Sequence, residues 1–267
     1  MGELVFVGLG LYDERNISLR GLEEARGADA VFMELYTSFM PELALEKLEK
    51  LVKRAISVVS RRDLEEDGGQ LILREAGRGK VVLMVPGDPL IATTHVDLQI
   101  RAERTGIKTR IVHGASIISA VVGLSGLQCY RFGRSVTIPF SEDGFVSETP
   151  YKVIAENKKR DLHTLCFLDI RADEKRYMTI NDGLRQLLAV EKRKGKRLIC
   201  SNTLVVGIAR AGSIKPTVKA GYMEDMVRYD FGPPPHTIVF PGKLHFMEAD
   251  ALITLAKAPE QIREMVK

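Results

Sequence analysis

The chain has 267 residues, 45% of them apolar and 28% charged, an ordinary globular composition that excludes a disordered chain or a disulfide-stapled miniature protein. Thirty-nine basic residues against thirty-five acidic ones leave a net charge of +4, too mild for a dedicated nucleic-acid binder.

In chain order, Leu4-Val5-Phe6-Val7 predicts a strand that runs into Gly8-Leu9-Gly10. Ser18 is placed to cap a helix carrying Leu19, Leu22 and Ala25 inward. A strand over Ala30–Leu35 follows, then a helix starting at Pro41 with Leu43, Leu45, Leu48, Leu51 and Val52 mostly on one face. Short Ile56–Val59 and fully apolar Val81–Val85 predict further strands, the second covered on both faces as in a parallel sheet. A helix over Thr93–Arg104 and a strand over Thr109–Val112 complete a β-α-β-α rhythm, which implies an open, mostly parallel sheet. The rhythm changes after Ser116. An apolar helix over Ile117–Leu124 leads to the basic turn 131–134, a strand over Ser135–Ile138 and a polar loop over 141–150. Strands are predicted over Thr164–Leu168, Thr203–Ala209 and Thr237–Phe240, with helices near 180–193 and over Met247–Ala256, and an irregular stretch over 222–230. The fold class is α/β in two domains, 1–113 and 114–267.

Ligands of open α/β sheets bind beyond the carboxyl ends of the strands. Here the apolar runs end in Gly8-Leu9-Gly10-Leu11, in Pro86-Gly87-Asp88-Pro89, in His113-Gly114-Ala115-Ser116, in Asp169, in Ala211-Gly212-Ser213 and in Pro241-Gly242-Lys243. Such small residues leave main-chain N–H and C=O groups open to a ligand. A dinucleotide fingerprint is not completed: its third glycine would fall at Asp13, a carboxylate where a pyrophosphate should sit. GxxxxGK[ST], GxSxG, HExxH and CxxC are all missing from the sequence, and the five histidines have no metal-ligand spacing. His236 stands apart because Pro233-Pro234-Pro235 would hold it in a fixed place. Asp88 also suits the cap of a helix starting near Leu90.

Cys129, Cys166 and Cys200 are scattered, and two lie in apolar runs, which predicts buried free thiols in a reducing compartment. No apolar run reaches the ~18 residues of a membrane span, so the chain reads as soluble and cytoplasmic. Nine Asn and Gln residues in all, with abundant Glu, Lys and Arg, follow the drift of thermophile proteins. Two basic runs, Lys158-Lys159-Arg160 and Lys192–Arg197, are either solvated helix ends or a docking face for an acidic or RNA-bearing partner.

Particular strings go further. Gly8–Arg15 with Glu34–Ser38 resembles the opening of the diphthine synthases, and so do Pro86–His95 and His113–Ile117. Phe167–Ile170, Ala209–Ser213 and Pro234–His245 continue the likeness in the same order along nearly the whole chain. The resemblance implies two α/β domains of the tetrapyrrole-methylase type, a mostly parallel N-terminal sheet and a mixed C-terminal one, with the cofactor in the cleft between them. It implies a methyltransferase that uses S-adenosyl-L-methionine. Its protein substrate would be translation elongation factor 2, trimethylated on the amino group of a 3-amino-3-carboxypropyl-histidine to give diphthine, an intermediate of diphthamide biosynthesis. A homodimer is implied too, with no membrane and no direct nucleic acid needed. The cofactor contacts carried over are Leu11, Asp88, Ile91, Ser116, Ile117, Leu168, Ala211 and His236. No catalytic side chain and no metal are expected, because the sulfonium is already activated and the nucleophile is an amine. The competing expectations are a methyltransferase of the same fold acting on a tetrapyrrole or other small molecule, a non-catalytic RNA-binding protein using the basic runs, and a nicotinamide oxidoreductase.

Overall fold

A computed structural model describes residues 2–142 and 144–266. The chain divides into two units, one of residues up to 117 together with 170–175, the other of 118–169 and 176 onward.

In the first unit, strands β1 (Glu3–Gly8), β2 (Ala30–Glu34), β3 (Ser57–Val59), β4 (Lys80–Val85) and β5 (Lys108–Val112) form one parallel sheet in the order β3-β2-β4-β1-β5. Every residue of β1 from Leu4 and of β4 from Val81 is buried, because helices cover both faces of these central strands. Strand alternation splits the core in two. Leu4, Phe6 and Leu83 pack with Ile72 and Ala76 of α3 (Gln70–Ala76) and with Leu98 and Ala102 of α4 (Val96–Arg104). Val5, Val7 and Met84 pack with Ala25 of α1 (Leu19–Arg26) and with Leu48 and Val52 of α2 (Leu45–Val52).

Several elements depart from expectation. Ser18 does cap α1, its Oγ accepting from the Gly21 N–H at 3.0 Å, but Leu19 is 81% exposed rather than inward. The buried face is set by Gly21, Glu24 and Ala25, and a residue two places before Gly21 lies about 200° round the helix. Pro41 sits in a turn, and α2 starts only at Leu45. Helix α4 starts at Val96, not Thr93, since local bonds hold the preceding loop: Thr93 Oγ1 donates to the Pro89 carbonyl at 2.8 Å and the Asp97 N–H to that of Thr94 at 3.0 Å.

The second unit opens along α5 (Ile117–Ser125) and holds a mixed sheet of β6 (Val136–Ile138), β7 (Thr164–Leu168), β8 (Leu204–Ala209), β9 (Thr217–Tyr222) and β10 (His236–Phe240), in the order β9-β8-β10-β7-β6. Only β6 and β7 pair in parallel; β10 runs antiparallel to both of its neighbours. One face buries Tyr151 and Ile154 of α6 (Thr149–Lys159) and Leu184, Leu187 and Val190 of α7 (Ile180–Lys194) in a common core. Helices α8 (Met223–Met226) and α9 (Phe246–Ala256) complete the unit. The loop expected at 141–150 gives way to α6 at Thr149, and its residue 143 lies outside the described residues. The stretch expected to be irregular from Tyr222 contains the end of β9 and all of α8. No helix among the described residues is long and apolar enough to cross a membrane.

Candidate active site

Parallel pairing gathers the ends of β1, β4 and β5 at one edge of the first sheet. The loops beyond them touch backbone to backbone. A Cβ on Gly8 would stand 2.5 Å from the Gly114 nitrogen and 2.6 Å from the Gly87 carbonyl oxygen, nearer than real Cβ atoms approach. The two loops after β1 and β4 are tied by mutual main-chain bonds: Gly10 N–H donates to the Gly87 carbonyl at 3.1 Å and Gly87 N–H to that of Gly10 at 2.6 Å. Gly10 and Gly87 take φ of 80° and 73°, left-handed values that favour glycine. Beyond the Gly87 Cα lies open space, since a Cβ there would meet nothing within 4 Å.

Five of the eight sequence-derived contacts belong to this unit. Asp88 follows Gly87 and is buried to 7% exposure. It does not cap a helix. Its Oδ1 accepts the Leu90 N–H at 3.2 Å in a turn, and its Oδ2 lies 2.7 Å from His113 Nδ1. Ile91, in the same loop, is 40% exposed, while Leu11, Ser116 and Ile117 are half-buried. Leu11 follows Gly10 directly, and Ser116 and Ile117 lie just beyond Gly114.

The other three belong to the second unit. Leu168 ends β7 and is buried, Ala211 follows β8 and is half-buried, and His236 opens β10 opposite Ala209 of β8. Both ring nitrogens of His236 are engaged. Nδ1 accepts the Ile180 N–H at 3.2 Å, while Nε2 faces the Gly232 and Pro233 carbonyls, each at 3.1 Å, and so carries the hydrogen. Burial lowers the pKa of this imidazole, which keeps it neutral. His236 therefore fixes the start of α7 and the proline loop, and neither of its ring nitrogens is free. Two residues after Ala211, the buried Ser213 Oγ has no hydrogen-bond partner among the described residues.

The structure adds polar residues that the sequence reading did not single out. His113 is paired with Asp88 as described. Glu34, at the end of β2, is fully buried; Oε2 accepts the N–H groups of Tyr36 and Thr37 at 2.9 and 3.0 Å, and Oε1 is bonded by the Thr37 hydroxyl. His95 Nδ1 donates to the Pro89 carbonyl at 3.1 Å, and its Nε2 stands 4.0 Å from Glu34 Oε1. This ring thereby pins the far end of the loop that carries Asp88 and Ile91. The only forewarning was the presence of Glu34 and His95 in two of the strings quoted above. Of the cysteines, Cys166 alone is buried; Cys129, which opens a short 3-10 helix after α5, is exposed, and Cys200, between α7 and β8, is half-buried.

Residues 3–213 match the model of the tetrapyrrole (corrin/porphyrin) methylases. A diphthine synthase of Methanosarcina mazei is 49% identical over 269 residues, covering 99% of this chain and 100% of the relative. The chain belongs to the diphthine synthase family of tetrapyrrole methylases. The diphthine synthase of Methanosarcina acetivorans is 50% identical over 266 residues, 98% of each chain. A crystal structure of a diphthine synthase superposes with a TM-score of 0.90 at 43% identity and covers 98% of this chain and 99% of its own. Membership in this family makes the chain a methyltransferase, which requires a methyl donor.

Proposed function

We propose that the chain uses S-adenosyl-L-methionine to trimethylate the amino group of a 3-amino-3-carboxypropyl-histidine on translation elongation factor 2, giving diphthine in diphthamide biosynthesis. The observation that carries this reading is the likeness to diphthine synthases at about half identity over essentially the whole length of both chains.

The residues present fit such a cofactor. The open side of Gly87 leaves room for a ligand at the main chain, and Asp88 beside it offers a carboxylate to hydroxyl or ammonium groups. Leu11, Ile91 and Ile117 in the first unit, and Leu168 and Ala211 in the second, offer apolar walls and backbone polar atoms. Ser116 adds a hydroxyl, and His236 a neutral ring in a fixed orientation. The cofactor, when bound, supplies a methyl group already activated on a sulfonium.

What remains for the chain is placement. Holding an amine in line with a methyl carbon is worth up to ~7–11 kcal/mol of barrier. An α-amino group has a pKa of about 8, so part of it is neutral at physiological pH, and apolar walls favour that neutral form. No side chain is assigned as general base, and no metal is required.

The chain is further proposed to act in the cytoplasm as a homodimer. Free thiols at Cys129, Cys166 and Cys200 support the first part. For the second, α5 carries no charged residue, and Ile118 on it is exposed, as are Phe246, Met247 and Leu255 on α9. Gly126, just after α5, lies against Ala251 and Leu255, so the end of α5 adjoins the part of α9 that carries the exposed Leu255.

Calorimetric titration with S-adenosyl-L-methionine and S-adenosylhomocysteine tests the cofactor; saturable micromolar binding at one site per chain is expected, and no binding of either sinks the reading. Mass analysis of elongation factor 2 carrying the unmethylated arm should then show three added methyl groups. Methylation of a corrin or porphyrin precursor, with none of the elongation factor, would replace the acceptor.

A further inference from the structure

The two basic runs of the sequence are brought together in the second unit. Lys158, Lys159 and Arg160 close α6; Lys192, Arg193 and Lys194 close α7, with Lys196 and Arg197 just beyond. The helices are joined side by side: Tyr151 Oη donates to Glu191 Oε2 at 2.8 Å, and Lys158 Nζ donates to the Leu198 carbonyl at 3.3 Å. All eight basic residues are exposed.

Of these eight, Lys194 alone has a carboxylate partner for its side chain among the described residues. Glu191 is spent on the N–H groups of Arg197, Leu198 and Ile199 at 2.7 to 2.9 Å, and Glu148 on Lys194 and Lys152 at 2.7 and 3.7 Å. Lys158, Lys159, Arg160, Lys192, Lys196 and Arg197 make no ion pair among the described residues. Residues 148–161 and 191–197 hold nine basic and four acidic side chains, an excess larger than the +4 of the whole chain. This surface therefore carries a net positive charge. Compensation of helix dipoles explains a basic residue or two in each last turn. It does not explain Lys196 and Arg197, which lie past the end of α7.

We infer that this surface docks an acidic face of the protein substrate, an inference that rests on the methyltransferase reading above. One feature favours a protein over a nucleic acid. Tyr151, the aromatic residue of these segments, is buried and unable to stack on a base. Position argues for a macromolecular partner. The first residue of α7 donates to His236, and fifteen residues of helix at 1.5 Å each put the basic end roughly 20 Å away. Only a macromolecular substrate reaches both places. Complementary charge of this kind raises the association rate and fixes orientation.

The test is a Lys159→Glu/Lys192→Glu/Lys196→Glu variant, with the matching Gln variant as a neutral control. Binding to elongation factor 2 is titrated directly, without turnover, at low and high salt, and calorimetry with S-adenosyl-L-methionine is run on each protein. The expected result is about a tenfold or greater loss of affinity for the elongation factor at low salt, smaller in the Gln variant and shrinking toward 1 M salt. Cofactor binding should match wild type. Equal affinity of all three proteins for the elongation factor at low salt overturns the inference. So does unchanged binding to the factor with lost binding to total tRNA, which makes the surface a nucleic-acid face. Failure of the wild type to bind cofactor counts against the methyltransferase reading alone, since docking is measured separately.

Discussion

Asp88 and His113 meet at 2.7 Å over the end of a strand to which neither belongs. Asp88 follows β4, His113 follows β5, and β1 lies between those two strands. The loops close over β1 because its last residue is Gly8, which has no Cβ to hold them apart.

Asp88→Ala is expected to weaken S-adenosyl-L-methionine binding at least tenfold, about 1.4 kcal/mol, with little change in melting temperature. Asp88→Asn should fall between Ala and wild type, and His113→Ala should act in the same direction but less, since it removes only the partner. Calorimetry of the three variants checks the order. Wild-type affinity in Asp88→Ala would remove that carboxylate from the site.

The same loops make Gly114→Ala informative. Its Cβ would fall inside van der Waals contact of the Gly87 carbonyl oxygen and the Gly8 main chain, all backbone atoms without a flexible end to swing aside. A loss of about 1–3 kcal/mol of stability is expected, as for other overpacked sites. Cofactor affinity should fall with it, and denaturant unfolding read beside calorimetry tests both. A neutral substitution would mean that the loops separate more easily than their mutual hydrogen bonds imply.

Acid stability should track two carboxylates. Burial acts to raise the pKa of Glu248, but hydrogen bonds from His163 and from the main-chain N–H groups of His245 and Gln128 outweigh it and bring it down to about 2. Arg131 Nη1 adds a contact at 2.8 Å. Glu24 is also lowered to about 2, chiefly by Arg110 and, against the cost of burial, by Lys80. Below pH 4.5 the unfolded chain takes up these protons and the folded chain does not, so stability declines from there toward pH 2. Glu248→Gln should cost about 3–5 kcal/mol at neutral pH, as expected when one partner of a buried pair is removed, and should flatten that decline.

His236 gives a separate pH window. Its pKa is held below the ordinary histidine value of 6.5 in the fold, so the unfolded chain binds a proton first as pH falls. Stability should begin to drop below about pH 6.5 and the drop should continue until the folded imidazole also protonates. His236→Gln should abolish this part of the profile, measured as the denaturation midpoint against pH, while leaving the lower carboxylate decline in place. An unchanged slope would assign it to other groups.

Thiol chemistry should distinguish the cysteines. Exposed Cys129 should react first with an aromatic disulfide reagent. Cys166 should react only on unfolding, because complete burial both shields its thiol and pushes its pKa far up. Rapid modification of all three in the native protein would contradict the packing of β7.

The strands were legible wherever the chain is apolar without interruption. Val81–Val85 and Leu204–Ala209 have no polar face to alternate, and that is the mark of a strand covered on both sides. Weakly patterned elements were not legible. Helices α3 and α6 and the edge strand β9, Thr217–Tyr222, are short or carry mixed polarity, and their structure comes from what they pack against. Leu19 illustrates the same limit, since the side chain next to a correct cap still faces solvent once the buried stripe of α1 is fixed by the sheet.

For the site, the sequence by itself determined the small residues after each strand and the strings that resemble the diphthine synthases, because backbone access and local turns are properties of neighbouring residues. Tertiary structure decided the pairings. Asp88 with His113, Glu248 with His163 and Lys158 with the loop at Leu198 join residues 25, 85 and 40 positions apart. Which distant groups meet depends on strand order and helix packing, and no local pattern of residue types encodes that order.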